Sequence, residues 1–232
     1  EYYKMNILKL FKQLHHRVNI KRLVKYYYSR GYYYSQHYFS KNLFEIIDYL
    51  LNLEPRERDF ITSTRLPIKF RNIAFGTGLK DLIATLGEPA YVIEEHNEEH
   101  IFNVLFYRDK LGPYPVRKIC YFLDGKFFLG SYNFSKEKFL KPEDEEAIIR
   151  TLWQKYTDQS FPEQTDISQS QQWYLIDQEK NLIVVQRKIH FIIEYIWGNQ
   201  EFKNILLKIK EDNHKKFTQL RKQKLQTLFD NL

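Results

Sequence analysis

Cysteine is nearly missing: Cys120 is the only one in 232 residues. A single thiol forms no intramolecular disulfide, so a disulfide scaffold is excluded and a reducing, cytoplasmic compartment is the expectation. Glycine (8) and proline (7) are scarce, which argues against fibrous repeats and flexible linkers. No apolar run approaches the roughly 18–20 residues of a membrane span. The longest, Leu43 to Leu53, is broken by Glu45, Asp48 and Asn52, so no transmembrane segment is expected. Lysines interrupt the N-terminal stretch every few residues, which argues against a signal-peptide core there.

Aromatic residues are abundant instead, at 17% with 18 Tyr and 18 Phe, and hydrophobic residues reach 43%. That is enough to bury a core and excludes disorder throughout. The net charge of +7 is unevenly spread. Residues 1–41 carry nine Lys/Arg against one acid, residues 42–198 carry 19 against 24, and residues 199–232 carry eight against four. An acidic-leaning middle between two basic ends points to an acidic partner.

Hydrophobic spacing divides the chain. Residues 1–60 read as a basic, Tyr-rich helical region. Ile7, Leu8, Phe11 and Leu14 fall at helical spacing, and Leu43, Phe44, Ile47, Leu50 and Leu51 mark a further helix starting at Ser40. A first helix-plus-sheet unit covers residues 61–140. Its strand runs are Ala90–Glu94, Ile101–Tyr107, Arg117–Leu123 and Lys126–Phe134, with Asp124-Gly125 as a two-residue hairpin signal. A second unit covers residues 141–198. Pro142 opens its helix, acids Glu143 to Glu146 suit the positive end of the helix dipole, and three strand runs follow. A basic helix, residues 199–232, closes the chain with Phe202, Ile205, Leu206, Ile209, Phe217, Leu220, Leu225 and Leu228 as its stripe. The expected class is α+β, with the order helix-then-antiparallel-strands occurring twice, as a tandem repeat.

The stretch "FGTGLKDLIATLGEP", from Phe75, resembles a phosphate loop at first sight. A phosphate loop needs Gly, four residues, Gly, Lys, then Ser or Thr, and the dinucleotide fingerprint needs a third glycine where Asp81 stands. A helix start, an apolar stripe of Leu79, Leu82, Ile83 and Leu86, and a Gly87-x-Pro89 stop account for the same residues. No cofactor motif is found.

Gly76, Asp81, Leu82, Leu86, Gly87 and Pro89, followed by the aromatic strands "NVLFYRD" and "KICYFLDGKFF", resemble the helix-plus-sheet domains of the beta-lactamase inhibitor protein type. Small outer-membrane assembly lipoproteins share that architecture. The resemblance covers roughly residues 70–200 and implies a curved sheet whose face binds another protein. No lipobox cysteine precedes the domain, so the lipoprotein role does not carry over.

Three functional readings follow. The first is a non-enzymatic protein-binding module, whose sheet face presents Tyr107, Tyr121, Tyr132, Tyr174 and Tyr195. The alternative is nucleic-acid binding at the basic front end. Lys21, Arg22, Lys25 and Arg30 would meet phosphates and tyrosines such as Tyr27 and Tyr33 would stack on bases; packing onto the domain is the competing use of those tyrosines. The third is a metal-dependent hydrolase. "HNEEH", His96 to His100, matches the inverted zinc-peptidase pattern, which works only where a helix sets both histidines on one face. The segment lies between strand runs, so a solvated hairpin tip is the plainer reading. Cys120 is expected to pack in a strand; a nucleophile–base pair with His190 is the alternative.

Overall fold

The computed structural model describes residues 42–57, 59–97, 99–134, 140–161, 172–187 and 191–230. The helices among them are α1 (Leu43–Leu51), α2 (Leu79–Leu86), α3 (Pro142–Tyr156) and α4 (Gln200–Asp230). The strands are β1 (Phe60–Ser63), β2 (Tyr91–Asn97), β3 (His100–Leu111), β4 (Tyr114–Leu123), β5 (Lys126–Phe134), β6 (Gln172–Ile176), β7 (Leu182–Arg187) and β8 (Phe191–Ile196). The fold is α+β.

Local sequence explains where these elements begin and stop. The Asn42 side chain accepts from the Glu45 amide at 2.9 Å, and the Glu45 carboxylate accepts from the Asn42 amide at 3.2 Å. This reciprocal cap satisfies two otherwise orphaned donors, so α1 starts after Asn42 and not at Ser40. Helix α2 ends at Gly87, whose φ of 82° and ψ of −179° suit only glycine, and whose amide donates to the Ile83 carbonyl at 2.8 Å. The hairpin at Asp124-Gly125 forms as expected, with Leu123 opposite Lys126.

All eight strands join one sheet in the order β1-β6-β7-β8-β5-β4-β3-β2. Two antiparallel meanders, β2–β5 and β6–β8, meet where β5 pairs antiparallel with β8. The two expected units are therefore halves of a single sheet. Helix-then-strands does occur in each half, but with helices of 8 and 15 residues and with four strands against three. Strand β1 was not anticipated. Its four residues, too short to show alternation, pair in parallel with β6, Phe60 opposite Trp173.

Both faces of the sheet are covered. The first face packs Tyr107, Cys120, Phe127, Trp173, Val185 and Ile193 against Leu82 of α2, Ile149 and Trp153 of α3, and Ile68 and Phe70 of the segment before α2. Residues from both halves share this one core. The second face carries Phe102, Tyr121, Phe128, Val184 and Glu194 by the two-residue alternation of the strands. Phe202 of α4 packs there on Phe128, with ring centroids 5.0 Å apart and the planes tilted by 33°. Helix α1 lies against α4, with Asp48 and Lys210 paired at 2.7 Å. It belongs to the compact unit Lys41–Leu232.

Candidate functional site

The five tyrosines do not form an exposed face. All are buried: Tyr107 6%, Tyr121 5%, Tyr132 5%, Tyr174 2% and Tyr195 7%. Strand register explains the discrepancy with the expectation. Tyr107, Tyr132 and Tyr195 point to the first face, where they join the core cluster, whereas Tyr121 and Tyr174 point to the second. Burial raises the phenol of each of Tyr107, Tyr132 and Tyr195, and pushes Tyr174 up to about 12. These rings fill space between layers rather than await a partner.

The two histidines also part company. His96 sits opposite Ile101 and His100 opposite Asn97 in the β2–β3 hairpin, which turns their side chains to opposite faces of the ribbon. His96 Nε2 pairs with Glu94 at 2.7 Å, and His100 Nδ1 pairs with Asp124 at 2.8 Å. A strand cannot do what the zinc-peptidase motif asks of a helix, so these residues do not converge on one ion. Among the described residues no group of three or more His, Cys, Asp or Glu is arranged to hold a metal. Lys21, Arg22, Lys25, Tyr27, Arg30 and Tyr33 lie outside the described residues, as does His190.

Other titratable groups serve the fold. Burial pushes the Cys120 thiol up, opposite to what a nucleophile needs. The Glu194 carboxylate accepts from the Tyr49 hydroxyl, and from Gln186 Nε2 at 2.8 Å, tying α1 to the second face. Burial, then the Glu194 charge, raise the Tyr49 phenol. Lys118, 2% exposed, meets Asp109 at 2.8 Å on the first face, and Arg71 meets the same carboxylate at 2.8 Å. Burial pushes the Asp109 carboxyl up, but hydrogen bonds from Lys118 and the Lys110 amide, together with the Lys118 and Arg71 charges, hold it below its usual value.

One groove lies between α1 and the middle of α4. Its volume is about 710 Å³, and Phe44, Ile47 and Leu51 face Leu207 and Phe217 across it. Asp48, Lys210, Glu211, His214 and Lys215 rim it. No protein-family model, curated protein or solved structure matches this chain.

Helix geometry explains why the groove opens where it does. Phe202, Leu206 and Ile209 are buried. One turn on, the same stripe meets Asn213, the first polar residue in it. Beyond it the apolar residues turn outward: Phe217 is 66% exposed, Leu220 52%, Leu225 48% and Leu228 58%. The Asn213 interruption was the available signal that only the first part of the stripe is covered.

Proposed function

We propose that this chain is a non-enzymatic protein-binding module whose docking surface is the α1–α4 groove together with the outer half of α4. The observation that supports it is the run of large apolar side chains, Leu207, Phe217, Leu220, Leu225 and Leu228, held exposed on a regular helix. A lone exposed leucine is ordinary, whereas a contiguous row beside an apolar cleft has the composition of an interface. Both sheet faces are occupied, so the docking surface lies on the helices and not on the tyrosine-bearing strands.

A photo-crosslinking side chain placed at Leu207 or Phe217, in the source cells, tests this. A single discrete protein joined at both positions, absent from a control position at Thr85 on α2 and lost in Leu220→Asp, is the expected result. Crosslinks to nucleic acid alone, or equal crosslinking from Thr85, would sink the reading.

A further inference from the structure

The occupant of this surface follows from the charge and angular arrangement of α4. From Asn213 to Leu228 the helix holds Lys215, Lys216, Arg221, Lys222 and Lys224 and no acid at all. Resting on the docking surface proposed above, we infer that the occupant is an acidic amphipathic helix of another protein, lying along α4 with its apolar side chains in the groove and its carboxylates against these cations.

Geometry favours a helix as the occupant. A cleft between two helices receives a row of side chains spaced i, i+3, i+4, i+7, the way one helix seats in the groove of another. The surface from Leu207 to Leu228 is about 32 Å long, or some six helical turns, at 1.5 Å per residue. At 100° per residue, Phe217, Leu220, Leu225 and Leu228 share an arc of about 140°. Arg221 and Lys224 fall inside that same arc.

The same arrangement disfavours other occupants. A helix lying in a bilayer surface buries one apolar face and keeps its cations on the other; here it would carry Arg221 and Lys224 down with the leucines. A partner helix instead brings carboxylates to meet them between apolar contacts. Nucleic acid pairs with the cations but leaves three leucines and Phe217 unmatched. A second copy of α4 sets five cations against five, and residues 1–41 carry +8, so neither is the acidic segment that the charge asks for.

The test uses the full chain and fluorescent peptides of about 21 residues, matched in leucine spacing and helicity, with Glu, Gln or Lys on the flanks. A DNA duplex and phosphatidylserine vesicles are run beside them. The Glu peptide is expected to bind at least about tenfold more tightly than the Gln peptide at low salt, with the difference shrinking as salt rises. In the double variant Arg221→Glu with Lys224→Glu, which lowers the charge of residues 213–228 from +5 to +1, the preference for the Glu peptide over the Gln peptide is lost while circular dichroism is unchanged. Equal binding of the Glu and Gln peptides, abolished by Phe217→Asp, overturns the acidic partner and leaves the docking surface standing. Binding of only the duplex or the vesicles overturns both.

Discussion

The sheet body and the outer half of α4 are built from similar residues and use them in opposite ways. In the body, Trp153, Trp173, Phe122 and Phe127 are all almost fully buried, and even Lys118 and Glu194 are covered and paired. On α4 beyond Asn213, Phe217 and three leucines stand in water. Residue type does not separate the two regions; what does is whether a second layer lies opposite. The body is packed on both sides and the outer half of α4 is exposed, so substitutions of equal size should have unequal effects.

The largest effect is expected at Trp153. Its ring meets Phe60, Phe161 and Trp173 edge-on at 5.2, 5.9 and 6.1 Å, and its Nε1 donates to the Gln159 carbonyl at 2.8 Å. Trp153→Ala should cost roughly 3–5 kcal/mol, the range for truncating a buried large aromatic. Urea unfolding measures it, and a loss below a third of that would mean that α3 is not anchored on the sheet through this ring.

Asp109→Asn comes next. It strips Lys118, which is 2% exposed, of its carboxylate, and should cost about 3 kcal/mol at neutral pH because a buried ammonium is left unpaired. The pH dependence has a definite sign. The folded Asp109 carboxyl titrates below its unfolded value, so its contribution is complete above about pH 4 and is lost as pH falls through the folded value. The gap between wild type and Asp109→Asn should therefore close in acid; a gap that stays constant from neutral pH downward would place the stabilisation elsewhere.

A smaller loss is expected at Gly198, where the chain leaves β8. A Cβ there would lie 1.9 Å from the Lys180 carbonyl oxygen, a backbone atom that cannot swing aside. The Gly198 amide also donates to Asn181 Oδ1 at 2.9 Å, fixing the β6–β7 turn to the start of α4. Gly198→Ala should cost about 1–3 kcal/mol, typical of overpacking, and thermal unfolding reads it out.

How much of this was legible follows from which forces are local. Strand β5 matches its sequence run to the residue, because alternation and the Asp124-Gly125 turn are encoded by neighbours. Helices α2 and α3 were legible from Gly87 and Pro142 for the same reason. Strand β1 was not, since its pairing with β6 joins residues more than a hundred positions apart. The tyrosines failed as a site because alternation within a strand gives two faces without saying what covers each. Tyr107 and Tyr121 even fall in neighbouring strands yet on opposite sides. The α4 surface lay in plain view as a stripe, but only the packing of Phe202, Leu206 and Ile209 shows where its covered part ends.

The smallest expected effect on stability is the most informative one. Phe217→Ser combined with Leu220→Ser removes large side chains that are more than half exposed, so unfolding should shift by no more than about 0.5 kcal/mol, as for ordinary surface positions. The same pair should abolish capture at the Leu207 crosslinking position. Trp153→Ala acts the other way round: it weakens the body, while chains that remain folded keep the groove, since Trp153 packs on the first face and the groove belongs to α1 and α4. If the serine pair instead cost as much as a core truncation, those side chains would be packing against something within the molecule. The contrast between a finished body and an open helix would then collapse. Unfolding of the serine pair therefore comes before any search for a partner.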